Sequence, residues 1–163
     1  MSRKAPKYSG LKVRAKIAVI AARFNQGIVD ELLKRCEKRL GELGVKGVEI
    51  FRVPGAFELP VAAKAAAKSG RFGAVICLGA VIRGETPHFD FVAGEAARGI
   101  QEVGLETGVP VIFGVLTTDD EKQARDRLDV GTRAAEGAVE MIGVVGDISH
   151  RGERGDKNKK SLF

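Results

Sequence analysis

Four short runs rich in valine and isoleucine, Lys16–Ala22, Val48–Val53, Ala74–Val81 and Val109–Leu116, alternate along this chain with segments of helical periodicity. A strand that is apolar at nearly every position has to be covered on both faces, because neither face tolerates water. Strands of that kind, alternating with helices, constrain the chain to a parallel sheet enclosed by helical layers and joined by right-handed crossovers. The expected architecture is a small doubly wound sandwich with at least four strands and no internal repeat.

The intervening segments supply the helices. Ile28, Leu32, Cys36, Leu40 and Leu43 recur at helical spacing behind Asn25, which reads as an N-cap. Phe57–Lys68 is alanine-rich and closes at Ser69-Gly70, and Pro87–Glu106 closes at Gly108. Thr118-Asp119-Asp120-Glu121 reads as a capping box that also puts acid at the positive end of a helix. A last helix is expected from Thr132 to about Val145.

A length of 163 residues fits one domain, assigned to 8–147. The net charge of +6 raises the question of a nucleic-acid partner, and its distribution answers it. Residues 1–7 and 151–163 each carry a net charge of +3, which leaves 8–150 neutral. Segments 1–7 and 148–163 are therefore read as basic, flexible tails and not as nucleic-acid arms. No tryptophan and one tyrosine leave base stacking to scattered phenylalanines. Cys36 and Cys77 lack ligand spacing and, with only two histidines, give no metal site. No run is long and apolar enough to span a bilayer, and no secretory segment follows the basic start, so a cytoplasmic location is expected.

In a doubly wound sheet, ligands bind outside the carboxyl ends of the strands, here just after residues 22, 53, 81 and 116. The third end is the most informative: Arg83-Gly84-Glu85-Thr86-Pro87-His88 runs straight from strand into helix. Thr86 suits the N-cap and Pro87 the first helical position, and the free amides of such a turn form an anion site. Gly84 lets a ligand approach the backbone closely. His88 falls in the first turn, where the helix dipole favours the neutral imidazole and hence a proton shuttle; a packing or capping histidine is the plainer reading. At the second end Glu58 either complements a helix dipole or accepts hydrogen bonds from a polyol. At the first end Phe24 either packs or stacks on a planar ligand. The fourth end offers Phe113 and Thr117-Thr118, and Arg127 follows about two turns into the next helix, among many charges.

Taken together, Ala22-Arg23-Phe24-Asn25, Val53–Pro60, Gly79–Asp90, Phe113–Thr118 and Gln123-Ala124 with Arg127 resemble the lumazine synthases over roughly residues 8–145. The resemblance implies an α/β three-layer sandwich with a central four-stranded parallel sheet flanked by helices, of the flavodoxin-like kind. It implies condensation of 5-amino-6-(D-ribitylamino)uracil with 3,4-dihydroxy-2-butanone 4-phosphate to 6,7-dimethyl-8-ribityllumazine, without a cofactor. In this assignment Phe24 stacks on the pyrimidine, Ala56, Phe57 and Glu58 hold the ribityl chain, and Val81 and Ile82 read the pyrimidine edge. Gly84, Glu85, Thr86 and Arg127 hold the phosphate, and His88 moves protons.

The resemblance also implies that Phe113 and Arg127 come from a neighbouring subunit. It thus implies a homopentamer, which in some members assembles further into an icosahedral shell of sixty subunits. One departure stands out. Arg127 is followed directly by Leu128-Asp129-Val130-Gly131-Thr132-Arg133, so the lysine that the family places near the substrate has no counterpart and Arg133 is the candidate to replace its charge. That short link leans toward the shell, whereas the short N-terminal segment before residue 15 and Pro6 leave pentamer and shell both open. Two other readings accompany this one: a riboflavin synthase of the same fold, and a non-catalytic flavin- or lumazine-binding shell protein.

Overall fold

The computed structural model describes the backbone of residues 14–159 and the side chains of 14–150. Its elements run β1 (Lys16–Ala22), α1 (Gln26–Glu42), β2 (Val48–Val53), a 3₁₀ turn (Ala56–Glu58), α2 (Leu59–Lys68), β3 (Phe72–Ile82), α3 (His88–Thr107), β4 (Val111–Thr118), α4 (Glu121–Arg125) and α5 (Val130–Lys159). The strands form one sheet in the order β2-β1-β3-β4, with every neighbouring pair parallel. This is the predicted three-layer sandwich.

Side-chain alternation along the central strands divides the core in two. Ile17, Val19 and Ala21 of β1, with Ala74, Ile76, Leu78 and Ala80 of β3, bury against α1 and α5. Their alternates Ala18, Ile20, Ala22, Val75, Cys77 and Val81 bury against α2 and α3. Both central strands are thus covered on both faces, the physical reason that their sequence is apolar throughout. Cys36 and Cys77 lie in these cores as free thiols, and burial pushes both up to about 12.

Several local expectations are corrected. β3 gains Phe72-Gly73 and Ile82, and β4 begins after Pro110, whose carbonyl accepts from the Val75 amide (2.9 Å). Asn25 precedes α1 but its side chain caps nothing; it adopts the left-handed conformation (φ 55°) and its amide goes elsewhere. The second helix begins at Leu59, because Pro60 has no N–H to donate to the Ala56 carbonyl and the preceding residues close as 3₁₀. The capping box lies two residues later than expected. Asp120 accepts from the Gln123 amide (2.8 Å) and the Gln123 side chain accepts from the Asp119 amide (3.0 Å). α5 continues to Lys159, well past Val145 and through most of the segment read as a C-terminal tail. The N-terminal tail lies outside the described residues.

Two glycines fix how closely the α1/α5 layer approaches its neighbours. A Cβ at Gly131 would fall 2.2 Å from the Leu32 carbonyl oxygen, so α5 starts against the bare backbone of α1. A Cβ at Gly114 would meet the Cys77 carbonyl at 2.8 Å within the sheet. Among the described residues, no helix is long and apolar enough to cross a membrane.

Candidate active site

β1 leads outward to β2 on one side, while β3 leads to β4 on the other, so the strand order reverses between β1 and β3. That reversal opens a crevice at the carboxyl ends of the two strands. One hydrogen bond spans it: Asn25 Nδ2 donates to the Ala80 carbonyl at 2.8 Å. Asn25 was legible only as a cap; its left-handed backbone is the signal that it serves another purpose, since that conformation favours asparagine among non-glycine residues.

The loop after β1 is tied to the loop after β2. Arg23 and Phe24 amides donate to the Val53 and Pro54 carbonyls (2.8 and 3.0 Å). The Phe24 ring is left 71% exposed, so it is not a core residue. A Cβ placed on Gly55 would lie 3.3 Å from Glu58 Oε2 and 3.9 Å from the Phe24 Cβ. Phe24, the Pro54-Gly55 turn and the Glu58 carboxylate therefore form one wall of the crevice. Ala56 is buried under it, and Phe57 is 58% exposed.

β3 supplies the other wall. Val81 is buried and Ile82 partly so, and the ladder to β4 continues one residue past the strand through the Arg83 amide and the Thr118 carbonyl (2.9 Å). Gly84, Glu85 and Thr86 are exposed, and their amides donate to no acceptor among the described residues. Three successive free N–H groups thus stand ahead of a 20-residue helix, a combination of donors and dipole that attracts an anion.

The expected start of this helix is corrected in detail. Pro87, in right-handed conformation, occupies the cap position, and the Thr86 hydroxyl reaches only the His88 amide, at 3.4 Å. His88 is the first residue of α3, its side chain exposed beside the free amides and not buried in either core. Asp90 follows in the first turn.

Phe113 does not join this cluster within the protomer, and Arg127 stands on the segment after β4. Phe113 is the third residue of β4 and pairs with Cys77 in mid-sheet, about 16 Å short of the strand's carboxyl end at roughly 3.3 Å per residue. Its ring is 43% exposed on the α2/α3 side of an edge strand. Arg127 lies beyond the end of the short α4, not two turns into a helix. Its guanidinium donates to the Gln123 carbonyl (2.9 Å) and forms no salt bridge among the described residues. Arg133, the candidate for the missing lysine, pairs with Asp129 at 3.2 Å.

Phe24, Phe57 and the Gly84–His88 turn are exposed in the protomer. Three surface clefts of about 220, 310 and 380 Å³ lie at α3 with α5, between α2 and α3, and at β2 with α2, and Phe57 lines the second of them. The described residues contain no cluster of three or more histidine, cysteine or carboxylate groups able to hold a metal.

The chain is similar to known proteins over most of its length. A family model described as 6,7-dimethyl-8-ribityllumazine synthase matches residues 14–145. A 6,7-dimethyl-8-ribityllumazine synthase of Nitratidesulfovibrio vulgaris (strain DSM 19637 / Miyazaki F) is 51% identical over 132 residues, covering 80% of this chain and 83% of that protein. With a crevice at the sheet's reversal point, a free-amide turn and every strand-end motif inside the matched span, the chain belongs to the 6,7-dimethyl-8-ribityllumazine synthase family.

Proposed function

We propose that the chain catalyses the condensation of 5-amino-6-(D-ribitylamino)uracil with 3,4-dihydroxy-2-butanone 4-phosphate. The product is 6,7-dimethyl-8-ribityllumazine, with release of phosphate and water. The observation that carries the reading is the turn of free amides at Gly84, Glu85 and Thr86, set directly against His88 at the start of α3.

On this reading the planar uracil lies on the exposed Phe24 ring, with its edge toward the Val81-Ile82 backbone. The ribityl chain runs past Ala56 and Phe57 to the Glu58 carboxylate, which accepts hydrogen bonds from its hydroxyls. The ketone's phosphate rests on the Gly84–Thr86 amides. The uracil amine attacks the ketone carbon and the adduct loses water to form an imine. Elimination then breaks the carbon–oxygen bond to phosphate, and the ribityl-bearing nitrogen closes the ring with loss of a second water. Each step moves protons but transfers no hydride, so His88 acting as acid and base suffices. Such a group contributes about 10²–10⁴-fold, and holding two substrates together supplies much of the rest.

The exposure of Phe24, Phe57 and the Gly84–His88 turn supports a site completed by a second copy. Phe113 stands exposed in mid-sheet, away from the strand end that leads to His88, as a residue serving a neighbour's crevice would, and Arg127 is exposed as well. A homopentamer, alone or assembled into a sixty-subunit shell, is the assembly proposed. Arg127 then grips the phosphate opposite the amide turn. Arg133, the candidate to replace the charge of the absent family lysine, is engaged with Asp129.

Mixing the pure protein with both substrates and following lumazine fluorescence tests the reading. Growth of product fluorescence with stoichiometric release of phosphate is expected. Binding of lumazine without turnover would leave only a binding shell, and conversion of lumazine to riboflavin would replace the assignment.

A further inference from the structure

Arg83 is the first residue after β3 and takes no part in the substrate contacts described above. Its guanidinium nevertheless holds three groups at once. Nε donates to Asp119 Oδ1 at 3.2 Å, Nη1 donates to Asp90 Oδ1 at 3.4 Å, and its central carbon lies 4.3 Å from the centre of the Phe89 ring. Asp119 follows the last residue of β4, whereas Phe89 and Asp90 belong to the first turn of α3. The chain between Arg83 and Phe89 is the turn that carries the free amides and His88. One side chain therefore bridges both ends of that turn and fastens it to the neighbouring strand.

Both ion pairs are solvent-exposed and worth little as a source of stability. Their consequence is geometric and electrostatic. Asp90 and Asp119 flank a turn expected to receive a phosphate, and unpaired carboxylates there would repel it. A guanidinium can engage two carboxylates and an aromatic face together, which the single ammonium of a lysine cannot.

We propose that Arg83 is a positioning residue for the phosphate turn. By tying Asp90 and Asp119 it keeps both carboxylates off the anion and aims the Gly84–Thr86 amides and His88. The proposal rests on the assignment of that turn to the phosphate-bearing substrate.

The test compares full-length wild type with Arg83→Gln, Arg83→Lys and the triple variant Arg83→Gln/Asp90→Asn/Asp119→Asn. The readouts are KM for each substrate, kcat, and inhibition by inorganic phosphate, with thermal melting as the control for folding. Arg83→Gln should raise KM for the ketone phosphate and the inhibition constant of inorganic phosphate roughly tenfold. KM for the ribitylaminouracil should stay within about twofold. Arg83→Lys should recover only part of the loss, and should serve in place of Arg83→Gln if that variant does not fold. The triple variant should recover most of the phosphate affinity, because the repelling charges are gone.

An equal rise in both KM values, or no change in either, would overturn the proposal. A triple variant as weak as Arg83→Gln would also overturn it, since Arg83 would then bind the anion itself. If wild type makes no lumazine yet binds inorganic phosphate in an Arg83-dependent way, the catalytic assignment fails and the role of Arg83 stands.

Discussion

Gly131→Ala probes the tightest approach at any glycine among the described residues. Gly131 is buried as the second residue of α5, and an added Cβ would sit 2.2 Å from the Leu32 carbonyl oxygen and 3.0 Å from the Leu32 carbonyl carbon and Cα. Ordinary contact begins near 3.4 Å, so the two helices have to part by about 1 Å. The obstacle is backbone, and no rotamer change relieves it. Overpacking a core commonly costs about 1–3 kcal/mol, and the upper end applies here.

For a chain of this size each kcal/mol lowers the melting temperature by roughly 2–4 °C, so a fall of about 6–12 °C is expected. The measurement is thermal unfolding at fixed protein concentration, because association raises apparent stability. Gly41→Ala is the control. It lies exposed in α1 with no atom within 4 Å of the added carbon, and the change should be neutral or stabilising by up to about 1 kcal/mol. The same Gly131→Ala protein should bind the ketone phosphate less well, because the Val130 amide donates to the Arg127 carbonyl (3.0 Å) and carries any shift of α5 to that residue. A Gly131→Ala protein that melts within about 2 °C of wild type would refute the close-approach argument.

Three further outcomes are expected. His88→Ala should keep measurable turnover, slower by about 10²–10⁴-fold, because positioning remains; steady-state assays showing complete loss in a folded protein would contradict this. Phe24→Ala should leave the melting temperature unchanged, since its ring packs in no core, and raise KM for the ribitylaminouracil roughly tenfold; an unchanged KM would remove the stacking role. Cys36 and Cys77 should resist alkylation at pH 8 until the protein unfolds. Their thiols are raised from 9.0 to about 12 on folding, so the stability they contribute is intact below pH 9.0 and lost as pH rises toward 12. Melting temperatures that fail to decline across that window would count against their burial.

The sheet was legible because its signal is redundant. β1 and β2 have the predicted bounds, and the other two strands moved by a residue or two, since an apolar run does not say where pairing stops. Helix starts were harder to read, because several polar residues compete for each cap. At α4 both Thr118 and Asp120 could have served, and the extra reach of Gln123 to the Asp119 amide decided for Asp120. Asn25 and Arg83 were misjudged or passed over for a related reason. Each acts on a partner far along the chain, Ala80 for the one and Asp119 for the other, and no local spacing encodes such a pair.

In the sequence Phe24 and Glu58 each allowed a packing or dipole role beside a ligand role, whereas Phe113 and Arg127 gained a role only through resemblance, and the fold bears on the difference. Phe24, Glu58 and His88 follow strand ends directly, so the parallel topology alone gathers them at one rim. Phe113 sits in the first half of an edge strand, where the same topology points it away from that rim. On the proposal that a second copy completes the crevice, one protomer's β4 face is another's wall, and the test follows without further assumption. His88→Ala and Arg127→Ala proteins, each impaired alone, should regain activity when unfolded and refolded together, because mixed assemblies then contain some crevices with both native residues. Mixtures no more active than the average of the two parents would place Arg127 in its own protomer's crevice and leave the open rim without the partner assigned to it.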